Sequence, residues 1–414
     1  MYRVSSNMAR IDAQYHTMMR EYKLNQMENK MANQSRIKDL RDDPLAASHS
    51  VRFQSKTLRL ERYGRNIDDV TANLSISEVK LTDSLDRIQR LRELAVQGAN
   101  GIYTPEQLKA MGQEVDQMLE ELVAIGNSRD GLGNALFGGF ESKHEPFRIL
   151  RGRVEGGDGN HIIGIQYRGD IGRNVVEVSE ESVAAMNLPG NHVFWAENQS
   201  VYSSVNATEY VVQNDSLIRI DGVDIPLRAG DNVYAIISRI NEAPTAVRAS
   251  LDPVRNSLVL ETTTPHQLWV EDAAGSNVLS DLGILKTGGG TPPANYATSA
   301  SVYGGSVFDT VIALRDSLYR GDSEGINRAL GGMDQSIESL TSNLAEIGAV
   351  NSRLEGVARR IDQEIPELIS NNSKEVDLDL TEAITELRML EYTHQAALGT
   401  AARILRPTLL DFMR

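Results

Sequence analysis

Two stretches of this chain carry apolar residues every three or four positions without a slip in register. That pattern constrains the fold more than any other feature. The first runs Phe53, Lys56, Leu60, Tyr63, Ile67, Val70, Leu74, Ser77, Leu81, Ser84, Ile88, Leu91 and Ala95. A 3–4 spacing held that long is the seam of a helix that lies against partners along its whole length. Asp43 suits its N-cap, Pro44 its first turn, and Gly98 predicts its stop. At 1.5 Å per residue the helix would be about 80 Å long. A shorter helix, capped by Thr104, carries Leu108, Met111, Val115, Met118, Leu122 and Ile125 and ends at Gly126. The second long seam runs from Ile326 through Met333, Leu340, Ile347, Leu354 and Ile361 to Leu368. Pro366 inside it predicts a kink or a weak point.

Each long helix is followed, toward the chain end, by a break and a second amphipathic segment. On the N-terminal side the break is "RDDP", and the outer segment carries Met8, Ile11, Tyr15, Met18 and Tyr22 at seam spacing. On the C-terminal side "SNNSKE" interrupts. A new seam then runs Val376, Leu380, Ala383, Leu387, Leu390, His394, Ala397, Ala401 and Ile404. The ends differ in charge. Residues 1–65 hold 13 Lys and Arg against 7 Asp and Glu, and residues 306–414 hold 11 against 18. Opposite signs favour pairing of the two ends, within one chain or between copies.

The middle reads differently. "HIIGIQYRG", "RNVVEVS", "HVFWAE", "EYVVQN", "SLIRIDGVDIPL" and "NSLVLETTT" are short runs of β-formers between turn residues. A helix is expected near "DNVYAIISRINEA", and "KTGGGTPPANYATSAS" reads as a linker. The expected fold is α+β: long N- and C-terminal helices form an antiparallel coiled-coil or helical-bundle rod, with an inserted, mostly-β head. Residues 1–40 plus 375–414 would form an inner terminal coiled coil, and residues 41–146 plus 303–374 the helical rod. Residues 147–302 would form the head.

Composition removes several classes of function. A net charge of −15 argues against electrostatic nucleic-acid binding. The absence of cysteine excludes disulfides, thiol catalysis and cysteine-ligated metal. No apolar run is long enough to span a bilayer, so no membrane insertion is expected, and the first thirty residues lack the apolar core of a secretion signal. The seven histidines are scattered without metal-ligand spacing. "GGGTPP" lacks the Lys-Ser/Thr of a phosphate loop. "DDP" reads as a cap rather than a catalytic pair, "DLDLTE" as a helix start, and His394 as a polar seam residue rather than a switch. With no HExxH either, neither an enzyme nor a cofactor is expected.

Several motifs together carry a resemblance. They are "RDDPLAA" with Arg41, Asp42, Asp43 and Pro44; "RNIDD" with Arg65 and Asn66; "RELAVQGANG"; "FGG" at Phe137, Gly138 and Gly139; and the tail "AALGTAARILRPTLLDFMR". In this order the chain resembles the flagellin superfamily, and within it the hook–filament junction family, hook-associated protein 3. "FGG" soon after the second helix, and "VFDTVIALRDSLYRGD", favour that family over filament-forming flagellin, which is the alternative. The stretch 237–262 resembles the Ile-Asn motif of flagellar inserts, centred on Ile240 and Asn241 in a subdomain of about 231–285.

The resemblance implies a structural protein of the bacterial flagellum. It would pass unfolded through the flagellar type III export apparatus with an export chaperone on its C-terminal region. Copies would form a homo-oligomeric ring between hook-associated protein 1 and flagellin, outside the cell or, in a spirochete, in the periplasm. An isolated pair of amphipathic end helices buries one stripe each and leaves other apolar surface wet. Residues 1–40 and 375–414 are therefore expected to be partly disordered in the free chain and to fold when neighbours cover them. The expected assembly contacts are Met8, Ile11, Tyr15, Met18, Leu380, Leu387, Leu390, Leu398, Ile404 and Leu405.

Overall fold

Asp43 caps the longest helix of the chain as its sequence predicts. The helix, α2, spans Pro44–Ala99, and the Asp43 carboxylate accepts the Ala46 amide at 3.1 Å. That bond, reinforced by Arg36, holds the carboxyl below its ordinary range. The computed structural model describes residues 2–404, apart from 38, 40, 274 and 289. Long helices occupy both ends of the sequence and small antiparallel sheets its middle, an α+β fold. The described residues divide into two compact units, one from residues 1–65 with 357–414 and one from residues 66–356.

The first unit contains α1 (Tyr2–Asn33), the start of α2, the end of α8 (Ser323–Val376) and α9 (Leu380–Ile404). Its two chain breaks zip together. Arg36 N–H donates to the Val376 carbonyl at 2.8 Å, and Leu378 N–H to the Gln34 carbonyl at 3.1 Å. The break falls later than "NNSK" predicts: α8 continues through Asn371–Lys374 and stops at Val376. Asp379 then starts α9 by accepting the Thr381 and Glu382 amides at 2.8 and 3.2 Å. Pro366 does not end α8 either. Burial of Ile361 and Leu368 on both sides holds the helix where the ring removes one backbone bond. The oppositely charged ends pair within this unit through Lys56 and Glu364, and His49 Nδ1 lies 3.4 Å from the Glu375 carboxylate.

In the second unit the α2 seam is buried from Ile67 to Ala95. Its polar members are satisfied locally: Ser77 and Ser84 each donate to the carbonyl four residues back, at 3.0 Å. Gly98 does not stop the helix. A Cβ there would stand 2.8 Å from Leu318, so the glycine serves close packing, and the chain turns at Gly101, where φ is +65°. The next helix, α3 (Pro105–Gly126), carries a capping box between Thr104 and Gln107. It packs on α7 (Val307–Arg320), with Gly112 admitting the Tyr319 ring. Between them lies a fully buried cation. Arg315 donates to Asp116 at 2.8 Å and to Asp316 at 2.7 Å. Asp116 also faces His161 Nδ1 at 2.8 Å, which ties in the hairpin of β1 (Phe147–Gly152) and β2 (His161–Tyr167).

The "FGG" motif is the hub of this unit. Phe137 is buried edge-on against Phe194 at 5.1 Å, within a cluster that includes Phe147 and Phe308. Its carbonyl accepts the Tyr167 hydroxyl at 2.9 Å and the Gly190 amide at 2.8 Å. A Cβ on Gly138 would meet the Glu141 carbonyl oxygen at 2.6 Å. Gly139 has φ +70°, and a Cβ there would sit 2.0 Å from the Asp170 carboxylate, which pins the Phe140 and Gly172 amides. Asn66 on α2 donates to the Glu177 carbonyl in β3 (Val175–Ser179), which pairs with β4 (Ser182–Ala185).

Two sheets and two helices build the rest. One sheet runs β10 (Val270–Asp272), β6 (Ser216–Ile220), β7 (Val223–Leu227). The other runs β11 (Ser301–Tyr303), β5 (Ser200–Tyr202), β9 (Leu258–Thr262), β8 (Val247–Leu251). With α5 (Val233–Glu242) and α6 (Val278–Asp281) they share one apolar core reaching from Val201 to Leu285, so it begins upstream of residue 231. Ile240 is buried in it, and Asn241 imitates a strand. Its side-chain amide donates to the Ala249 carbonyl at 3.0 Å and its oxygen accepts the Ala249 amide at 2.8 Å, joining α5 to β8.

Three expectations for the middle fail. "HVFWAE" forms the end of the short α4 (Gly190–Val193) and a loop, because Phe194 enters the phenylalanine cluster. "EYVVQN" makes one isolated bridge, Val211 to Asn232. The supposed linker packs on the core: Asn295 is buried, and the Tyr296 hydroxyl donates to the Leu268 carbonyl at 2.6 Å.

Candidate assembly surface

The two end helices α1 and α9 lie antiparallel. Arg20 on α1 donates to the Thr393 carbonyl on α9 at 2.8 Å, while Ser35 bridges Asp377 at the other end. The face α1 turns to α9 is marked by its less exposed positions Ala13, Thr17, Leu24, Met27 and Met31, with Arg20 in phase. At 3.6 residues per turn these fall in one stripe. The face α9 returns is the one its sequence predicts: Ala383, Leu387, Leu390, His394, Ala397 and Ala401 are all wholly or partly shielded. His394 sits in that seam with a buried Nδ1 that has no hydrogen-bond partner among the described residues.

Met8, Ile11, Tyr15, Met18 and Tyr22 are not in this seam. They form a second stripe half a turn away, and every one is exposed. On α9, Leu380 and Leu398 are likewise exposed, as are Ile384, Met389 and Tyr392. Ile404 closes α9, and Leu405 with the tail to Arg414 lies outside the described residues. The structure thus separates the expected contact residues into two groups. Leu387 and Leu390 face α1 within the chain. Met8, Ile11, Tyr15, Met18, Leu380 and Leu398 face outward.

Burial within the pair is thin. Among the described side chains only Met27 of α1 and Ala383 of α9 are fully buried. Ordering one residue costs about 1–2 kcal/mol of backbone entropy, and burial returns about 25 cal/mol per Å² of apolar surface. A pair that leaves a whole methionine–tyrosine stripe wet is weakly self-supporting.

The motif residues have other roles. Arg41 and Arg65 are exposed and Asp42 turns toward the Asp39 amide, while Asp43 and Pro44 start α2. Phe137, Gly138 and Gly139 build the aromatic hub. None of the described helices is long and apolar enough to cross a membrane.

Comparison with known proteins finds flagellar matches. Residues 4–142 match the family model of the bacterial flagellin N-terminal helical region, and residues 210–264 match the flagellin hook IN motif. Flagellin E of Vibrio cholerae is 22% identical over 405 residues, covering 97% of this chain and 96% of its own length. Flagellar hook-associated protein 3 of Escherichia coli is 25% identical over 171 residues, 38% of this chain and 54% of that protein. A crystal structure of flagellar hook associated protein-3 from Legionella pneumophila overlays with a TM-score of 0.47 at 15% identity, covering 78% of this chain and 97% of that one. The matched helical region spans nearly all of α1 with α2 and α3, the matched motif spans β6, β7, α5, β8 and β9, and the chain thus carries the bacterial flagellin N-terminal helical region and the flagellin hook IN motif.

Proposed function

We propose that this chain is an adaptor of the flagellum. Copies close into a ring seated on hook-associated protein 1, and the ring offers flagellin a matching lattice. The observation that carries an assembly role is the exposed stripe Met8, Ile11, Tyr15, Met18 and Tyr22, on the face of α1 that α9 leaves free. An exposed apolar row of this length is a contact awaiting a partner. The contact gains what the lone helix pair lacks, so folding of the ends and assembly are coupled. Such a chain crosses the type III export apparatus before its ends are stabilised, with an export chaperone covering the C-terminal region. Its place is the flagellum outside the cell, or the periplasmic flagellum of a spirochete.

The choice of adaptor over filament rests on "FGG" placed shortly after α3 and on residues 307–322. A filament-forming flagellin is the second reading, favoured by the alignment of Vibrio flagellins along nearly the whole chain. Polymer length separates the two. Purified chain added to isolated hooks bearing hook-associated protein 1 should add a short terminal layer and stop. Growth of long filaments under the electron microscope overturns the adaptor reading and leaves flagellin. Deletion of the gene should leave hooks without filaments and flagellin shed from the cell.

A further inference from the structure

Two histidines meet where the Ile-Asn core joins the helical part of the second unit. His192 in α4 and His266 in the β9–β10 loop stack with ring centroids 6.2 Å apart and planes 14° from parallel. Asn343 on α8 donates its amide N–H to the Ser339 carbonyl at 2.9 Å, which leaves its oxygen for His192 Nδ1 at 3.2 Å. His192 is therefore the donor in that bond. His266 stands between the Asp221 carboxylate at 3.0 Å and the Thr264 carbonyl at 2.8 Å. Asp221 lies in the β6–β7 turn and also holds the Trp269 amide at 3.0 Å. Beside the rings, the Gln267 amide donates to the Asn191 carbonyl at 2.9 Å. The rings sit beside these bonds.

The charges around His192 come from every side. Arg173 and Glu346 approach each other at 4.0 Å, His266 and Asp221 lie on the Ile-Asn side, and Glu197 and Glu338 line the adjoining cleft of about 820 Å³. A second cleft of about 250 Å³ opens on the other side of the ring. Water therefore reaches His192 from two directions. We propose that the His192–His266 stack is an acid-sensitive joint: a proton taken up at His192 releases the Ile-Asn core from α4 and α8 while the helical packing stays intact.

The direction follows from the surroundings. Burial holds the His192 ring below the ordinary histidine value, and Arg173 and His266 act the same way, against Glu346 and the Asn343 bond. A histidine lowered by folding binds fewer protons in the closed joint than in the open one. Closure is therefore complete above the ordinary value of about 6.5 and weakens as pH falls below it.

The test is amide hydrogen exchange on the full chain at pH 7.5 and 5.5, corrected for intrinsic rates, together with an NMR titration of His192. Protection at Gln267 should fall about tenfold, since one coupled proton gives at most tenfold per pH unit. Leu91 and Leu119 should keep theirs. The variant His192→Gln, which keeps an N–H donor and takes up no proton, should lose less than twofold. Flat protection at Gln267 while His192 titrates overturns the joint. So does an equal loss in His192→Gln. The titration reads the unaltered chain, so it decides even if the variant folds poorly.

Discussion

Met18 and Met27 stand nine residues apart on α1, two and a half turns, and so occupy opposite faces of one helix. Met27 is 8% exposed, against α9, and Met18 is 69% exposed. One methionine closes the chain on itself and the other is left for something else. Replacing Met27 by Glu should therefore unpair α1 from α9, with loss of helix by circular dichroism. The same change at Met18 should leave the monomer spectrum unaltered.

The buried cation of the second unit gives a stability prediction. Arg315 is fully buried with Asp116 and Asp316 as its partners. Asp116→Ala removes one of them and also frees His161. Arg315 keeps Asp316, so the loss is that of one charge-assisted bond at a buried cation, about 2 kcal/mol. Urea unfolding followed by tryptophan fluorescence should show a lowered midpoint that corresponds to this loss, and an unchanged midpoint contradicts it.

Gly139→Ala should be more damaging than its size suggests. The new methyl group meets Asp170 at 2.0 Å, and the backbone at φ +70° disfavours it as well. The expected loss is about 2–4 kcal/mol. Leu132→Ala, at an exposed position seven residues upstream, should cost less than about 0.5 kcal/mol in the same assay.

Asn241→Ala removes both prongs that hold β8 to α5. A cost of about 1–3 kcal/mol is expected. Because β8 is an edge strand, the exchange protection of the Ala249 amide should fall first. Asn241→Asp should restore the accepted bond but not the donated one, and so recover only part of the loss.

The cap of α2 should respond to acid. The Asp43 carboxyl is lowered in the folded chain, chiefly by the Ala46 amide. Its contribution is present above the ordinary carboxylate range and is lost as pH falls through the lowered value. Exchange at Ala46 should quicken in that acid window in the unaltered chain. It should not do so in Asp43→Ser, whose cap carries no charge.

Much of this architecture is legible in the residues because period and caps act locally. Asp43–Pro44 and Thr104–Pro105 start helices where they stand, and the long α2 seam follows from spacing alone. The α1 face that meets α9 is hidden from such reading. Thr17 and Arg20 interrupt it, whereas Met8, Ile11, Tyr15 and Met18 make a cleaner stripe on the wrong side for the intrachain pair. Gly98 reads as a stop, yet its role is set by Leu318, more than two hundred residues away. "HVFWAE" reads as a strand because Val, Phe and Trp favour sheets, but Phe194 is claimed by an aromatic cluster that no local pattern announces. The buried Arg315 carries no sequence signal, since its partner Asp116 lies on another helix.

The most direct measurement concerns the outward stripe of α1. The double variant Ile11→Glu, Met18→Glu should match the unaltered chain in circular dichroism and in sedimentation as a monomer. It should also fail to add to isolated hooks under the electron microscope. A variant that adds as readily as the unaltered chain contradicts the account, because the exposed face would then have no partner to meet.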